Sequence, residues 1–471
     1  MCSQVLWVLV MFTIFTFMEG RKVVEACSPN DLKGLIDLKN GIVIDTSGRL
    51  AKWVGESCCQ WEGIVCEKTT GRVTEINLPG LISTNDSLFQ SQMTGLLSHS
   101  ITLLSFLEVI DLGELYGLAG TIPPTIGFLL PNLRKLYLYG NNLTGPIPES
   151  IGKLSKLQEL ALHENSLSGS IPSSIGNLEN LNRLLLYTNR FSGVTPDSLT
   201  NLTNLVELDL HSNILTGHIP DRIGQLPALK NLDFSNNQLS GKIPLSVTNL
   251  TAISVMYMDT NNLEGSILFP LMSGDLPSLA FLRLHDNQLS GTIPLNFGYL
   301  ISLQRVSLAN NKLEGALPFS LGNLSSLTEL YLNGNFLSGQ VPTSIGKLSQ
   351  LLILTISNNL IQGPLPRAIS SLQNLQMLDL SFNRLNLSTI PKWLIELPSL
   401  SRIYLAGSGI QGQVPDFLQT TPSQLQELDL SVNHLTGSIP PWLGSLSHLY
   451  LLNLSRNSLV SDIPDSITKL T

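Results

Sequence analysis

The chain is short of charge, of cysteine and of long apolar runs, and each shortage closes off a class of function. Only 13% of the 471 residues are charged, and they leave a formal net charge of −8 with a pI near 5.4. A protein that grips a phosphate backbone needs a basic face, so nucleic acid is not an expected partner. The longest apolar run, Val5 to Met18, covers 14 residues. That is too short for a comfortable membrane span. No second run follows the rest of the chain, so membrane attachment is expected only through sequence not present here. Catalysis has no foothold either. Gly152-Lys153, Gly241-Lys242 and Gly346-Lys347 are each followed by Leu or Ile, so none makes a phosphate-binding loop. There is no Gly-x-Ser-x-Gly elbow, no His-Glu-x-x-His pair and no kinase signature. The expectation is no enzyme, no cofactor and no metal.

What is present is a period. Asparagines stand at 141, 165, 189, 213, 237 and 261, then at 287, 311, 335, 359 and 383, and finally at 433 and 457. Each closes a phrase such as Leu133-x-x-Leu136-x-Leu138-x-x-Asn141 and precedes one such as Leu143-Thr144-Gly145-Pro146-Ile147-Pro148. A fixed repeat of roughly 20–50 residues predicts stacked turns rather than a closed globule. Leu136 and Leu138 alternate with polar slots, as in a short strand buried on one face. Asn141 sits where that strand must turn inside the core. Its amide donates and accepts, so stacked copies would form a ladder, each rung offsetting a desolvation cost of about 1–3 kcal/mol. Gly145 allows close approach or a positive φ, and Pro148 closes the turn without needing a donor.

The register also breaks. Tyr116 and Ser408 take Asn slots, and Leu81 does so in the first turn. Residues 82–92 are an insertion, two further residues fall near Phe269-Pro270, and one lies on each side of Ser408.

Five cysteines locate the chain. Cys2 falls in the 1–26 segment, which reads as a signal peptide with Val24-Glu25-Ala26 as its cleavage site, although no Lys or Arg precedes the apolar run. Cys27, Cys58, Cys59 and Cys66 remain, an even set that reads as two disulfides in an exported protein. Adjacent Cys58-Cys59 with no flanking His lacks zinc-ligand spacing. Asp31 to Asn40 places Leu32, Leu35 and Ile36 at helical spacing, expected to cover the first strand.

Residues 27–72, with the phrase Cys58-Cys59-Gln60-Trp61-Glu62-Gly63-Ile64-Val65-Cys66, resemble the N-terminal cap of plant extracellular leucine-rich-repeat proteins. Residues 73–471, about 16 repeats, resemble their plant-specific repeat. The resemblance implies an α/β solenoid, a right-handed superhelix with a parallel concave β-sheet, and a second short sheet from the Leu-x-Gly-x-Ile-Pro phrase. It implies the pairs Cys27–Cys58 and Cys59–Cys66. It also implies a recognition role at the cell surface or in the cell wall, as the ectodomain of a receptor-like protein or receptor kinase in signalling or defence. The alternative is a secreted inhibitor of cell-wall-degrading enzymes, of the polygalacturonase-inhibitor type. Members usually finish with a cysteine-bearing cap, which is absent after Leu470-Thr471.

Asn-x-Ser/Thr acceptors at Asn85, Asn142, Asn201, Asn249, Asn323, Asn386 and Asn453 fit export and glycosylation. The partner site is expected on the concave strand face, where one column reads Tyr139, His163, Tyr187, His211, Ser235, Asp259, His285. Its neighbour includes Tyr137, Tyr257 and Arg283. Aromatics, His and Arg are the side chains that dominate interface energetics. The expected occupant is a protein or peptide ligand, or a co-receptor ectodomain. Histidine ordinarily titrates near pH 6.5, and with three in one column affinity is expected to depend on pH.

Overall fold

Every turn of the chain buries the same apolar set, and that set dictates the architecture. In the turn that begins at Leu133, the side chains of Leu136, Leu138, Leu143, Ile147, Ile151, Leu154 and Leu157 are all buried. Each contributes about 1.5–3 kcal/mol of transfer free energy. A computed structural model describes residues 27–83, 88–420, 425–460 and 462–469. Residues 1–26, expected to be a signal peptide, and the acceptor Asn85 lie outside the described residues. The chain forms two compact units, Met1–Ser168 and Gly169–Thr471.

The first unit opens with the cap. Helix Pro29–Gly41 is followed by strand Ile42–Asp45, which pairs antiparallel with Met93–Leu96. The helix buries Asp31, Gly34, Leu35 and Leu38. Ile36, expected on the buried face, is instead 38% exposed. The helix rotates this way because Gly34 packs onto Leu104 and Ser100 of a later turn, leaving no room for a side chain there. Strand Ile64–Cys66 runs antiparallel to Val73–Asn77, the first inner strand. Cys27 bonds to Cys58 and Cys59 to Cys66, the pairing that the family pattern implies. Trp53 and Trp61 stack at 5.1 Å between them. Asp31, fully buried, takes two bonds from Arg72 at 2.8 Å each and a third from the Val73 amide at 3.0 Å. At the 82–92 insertion, strand Leu81–Ser83 pairs antiparallel with Leu88–Gln90.

Four inner strands of this unit, Val73–Asn77, Val109–Asp111, Lys135–Tyr137 and Glu159–Ala161, pair parallel. Their register stacks Ile76, Ile110, Leu136 and Leu160 into one apolar column. In the second unit twelve inner strands, from Arg183–Leu185 to Leu451–Asn453, continue the same pattern. Register there aligns, for example, Leu208, Leu232, Met256, Leu282 and Val306.

The Leu-x-Gly phrases form the expected second sheet. In the first unit Thr144 and Gly145 pair parallel with Ser166 and Leu167. In the second, strands Ser240–Gly241 to Leu360–Gln362 form a six-stranded sheet. Gly265 shows why glycine is needed: its φ is +77°, and an added Cβ would meet the Lys242 side chain at 2.9 Å. Most outer elements are 3₁₀ turns of five residues, such as Thr343–Lys347, whereas Ile126–Leu129 is a single α-helical turn and Ile223–Gln225 is a turn of three residues. Most are capped by a proline, here Pro342, and end within two residues of the next buried leucine, so a longer helix has no room.

The asparagine ladder is explicit. Asn311 Nδ2 donates to the carbonyls of Leu284, Leu308 and Ala309, and its Oδ1 accepts from the Leu289 amide. At the Ser408 slot the ladder adapts: Asn433 Oδ1 accepts from both the Ser408 and Ile410 amides. The residue before most ladder asparagines has positive φ, including Thr260 at +55° and Val432 at +55°. For β-branched residues this is a strained conformation.

Candidate functional site

Inner-strand side chains that point away from the core are the candidate contact surface, and the two units carry different chemistry. In the first unit Tyr137 donates to Glu159 at 2.6 Å. Lys135 pairs with the same carboxylate at 2.9 Å. Tyr139 stacks on His163 with ring centroids 4.5 Å apart and planes 11° from parallel. Its ring also covers Gly113, where a Cβ would come within 2.5 Å of it. Burial, and next the charge of Asp111, hold the Tyr139 hydroxyl above its ordinary pKa. His163 is only 8% exposed. The sequence reading placed this whole column in solvent; stacking instead buries His163 within it, because rings one strand apart lie within van der Waals reach.

In the second unit Tyr187 stacks on His211, again at 4.5 Å and 11°. His211 Nδ1 lies 2.7 Å from Asp209 and 3.9 Å from Asp233. The hydrogen bond with Asp209 raises the His211 pKa above the usual histidine value, against a smaller opposing effect of burial. Burial raises Asp233. One imidazole nitrogen and two carboxylates within 4.8 Å make this the described group whose donors fit a divalent ion. The internal ion pair already uses those atoms. The other thiol-bearing group, Cys58, Cys59 and Cys66, is spent in disulfides.

Farther along, Arg283 lies over Tyr257 at 4.4 Å and pairs with Asp259 at 3.0 Å. His285 approaches the same Asp259 oxygen at 3.4 Å. Asp259 is 4% exposed, so this charge is buried with its partners around it. On the next strands Arg305 pairs with Glu329 at 2.7 Å. Tyr331 donates to Glu329 at 2.9 Å, and its hydroxyl is pushed up to about 12 by burial and by that bond. Arg283, His285, Arg305, Ser307, Glu329 and Tyr331 line a groove of about 290 Å³. Structure thus joins Tyr257, Arg283 and His285 with Asp259 of the same column, and sets beside them Arg305, Glu329 and Tyr331 of the next strands. The added signal was readable: Arg183 and Glu207, like Arg305 and Glu329, stand 24 residues apart with opposite sign, one strand from each other.

Of the glycosylation acceptors, Asn142, Asn201, Asn249, Asn323 and Asn386 are exposed. Asn453 is half-buried on the strand face and donates to Asp429 at 3.0 Å. Among the described residues no helix is long and apolar enough to cross a membrane.

Comparison with known proteins agrees with this architecture. Residues 28–67 match the family described as leucine rich repeat N-terminal domain, and residues 87–217 match the leucine-rich repeat region. Leucine-rich repeats are matched again at 228–250, 278–300, 302–324 and 326–348, at 349–410 and at 423–468. The plant peptide hormone receptor RGFR1, solved in complex with RGF2, is 31% identical with a TM-score of 0.55. That match covers 80% of this chain and 71% of the other. The chain belongs to the plant extracellular leucine-rich-repeat family. The Arabidopsis thaliana receptor kinase ectodomain GASSHO1/SCHENGEN3, in complex with CASPARIAN STRIP INTEGRITY FACTOR 2, gives 33% identity and a TM-score of 0.67, over 79% of this chain and 47% of that one. Among sequence relatives, the Arabidopsis thaliana DNA damage-repair/toleration protein DRT100 is 37% identical over 27% of this chain and 35% of its own length. The tomato (Solanum lycopersicum) receptor-like protein EIX2 is 31% identical over 31% of this chain and 14% of its own. The matched stretch therefore spans about a third or less of these curated relatives.

Proposed function

We propose that this leucine-rich-repeat chain is the ligand-binding ectodomain of a plant receptor-like protein or receptor kinase, exported to the cell surface, and that it binds a peptide or partner ectodomain on its inner strand faces. The groove between Arg283 and Tyr331 carries the reading. It offers two guanidiniums, an imidazole and a phenol on rigid strands, the residue types that anchor interfaces. Each guanidinium is preorganised by a carboxylate, Asp259 or Glu329, so binding costs little side-chain ordering. The neighbouring solved ectodomains that hold peptide ligands support the same reading. Tyr137, Tyr139 and His163 form a separate aromatic patch on the first unit, suited to a second contact.

The test uses the secreted chain, a panel of synthetic secreted plant peptides, and purified endopolygalacturonase, with affinities measured by calorimetry. A peptide that binds should lose at least tenfold in an Arg283→Ala/Tyr331→Ala double variant of unchanged melting temperature. Equal affinity for the variant would remove the groove as the site. Inhibition of the polygalacturonase, with no peptide bound, would move the function to the inhibitor class.

A further inference from the structure

The second sheet of the Gly169–Thr471 unit is interrupted after Leu360–Gln362, and the cause is legible. The phrase from Ile361 to Leu365 has the usual length, whereas Leu385-Asn386-Leu387-Ser388-Thr389-Ile390 runs one residue longer and has no glycine. One turn earlier the strands pair at Ser338–Leu360, Gly339–Ile361 and Gln340–Gln362. Here pairing shrinks to a single bridge, Gln362 with Arg384. The longer segment is tied instead to the turn that follows it. Leu387 N–H donates to the Ser408 carbonyl at 2.9 Å, and Gln411 N–H donates to the Ser388 carbonyl at 3.1 Å. Backbones still touch at Gly363 and Leu385, but beyond them a cleft of about 670 Å³ opens. Its walls include Gln362, Leu365, Asn386, Ser388 and Trp393. That volume lies in the ordinary range of about 300–1,000 Å³ for small-molecule sites.

Asn386 is both a wall of this cleft and the acceptor of the sequon Asn386-Leu387-Ser388. It is exposed and sits at φ +49°, a conformation that asparagine tolerates. We propose that an N-glycan on Asn386 folds back into this cleft, its inner sugars lying on Trp393 and covering the interrupted edge of the second sheet. Attachment forms a bond from Asn386 Nδ2 to the first sugar's C1 as the C1–O bond to a lipid diphosphate donor breaks; the amide loses one proton. The chemistry of the cleft suits a carbohydrate. An indole face meets the apolar face of a pyranose, while Gln362, Ser388 and the neighbouring backbone meet its hydroxyls. An open sheet edge is also a surface that proteins cover. The occupant is the chain's own glycan because its attachment point is part of the wall.

The proposal rests on the export read above, and its test separates the two. The full chain is secreted from cultured plant cells, each sequon's occupancy is read by mass spectrometry, and thermal unfolding is followed. Asn386 is expected to be occupied. Ser388→Ala, which leaves the Ser388 carbonyl in place, should lower the melting temperature by about 2–4 °C, and Ser388→Thr should not. In a Trp393→Ala background the same loss of the sequon should change nothing further. Acrylamide quenching in a Trp442→Phe background should rise when the glycan is lost, a second readout that needs no change at Trp393. A bare Asn386 beside occupied Asn201 and Asn249 overturns the proposal alone. So does a melting temperature unmoved by Ser388→Ala, or one lowered equally in both backgrounds. Bare acceptors throughout overturn the export reading as well.

Discussion

Replacing Asn311 by alanine tests the ladder, and the hydrogen bonds around it set the size of the effect. Asn311 is 7% exposed and serves three carbonyls and one amide. The three carbonyls each keep a partner when it is removed. Leu284 O still accepts from Asn287, Leu308 O from Asn335, and Ala309 O from the Asp286 amide. Only the Leu289 N–H is orphaned in the interior. An unsatisfied buried donor costs about 1–3 kcal/mol, and weakening three shared bonds adds roughly 1 kcal/mol, so Asn311→Ala should cost about 2–4 kcal/mol. The exposed neighbour Lys312→Ala should stay within about 0.5 kcal/mol. Long repeat arrays do not unfold in two states, so the assay is hydrogen exchange read by mass spectrometry on the peptide that contains Leu289. Protection there should fall selectively, together with the urea midpoint. A loss no larger than that of Lys312→Ala, or unchanged exchange at Leu289, would refute the accounting and with it the structural role assigned to the ladder.

Three further outcomes follow from named contacts. Asp31→Ala strands the Arg72 guanidinium, which also lies 4.2 Å over Phe106, and should cost about 3–5 kcal/mol, read as cap-specific proteolysis. Val432→Asn relieves a β-branched residue at positive φ and should raise stability by about 1 kcal/mol in urea melts. The His211 pKa is raised by its bond to Asp209, so that pair's contribution is complete below pH ~6.5 and is lost as pH climbs through the raised value. Between pH 6 and 8 the melting temperature should drop by about 1–3 °C, and His211→Asn should flatten the drop; an unchanged slope in that variant would show that His211 is not the titrating group.

The sequence by itself determined the repeat and everything that follows locally from it. Buried leucines at fixed spacing can only stack, and an amide at position 141 or 311 can only serve the turn that bends beside it. Four cysteines, two of them adjacent, marked the cap. Each of these depends on residues close in the chain or one period away, so periodicity carries the information. Tertiary structure decided what depends on distances between side chains of successive strands. It buried His163 under Tyr139, gathered Arg283 and His285 around Asp259, set Arg305 against Glu329, and turned Ile36 outward because Gly34 had to touch Leu104. It also turned one extra residue after Leu385 into a cleft, because that segment took its hydrogen bonds from the following turn rather than the preceding one. Whether a polar side chain points to water or leans on its neighbour depends on the size and charge of residues some 24 positions away, and only the packed strands bring those together.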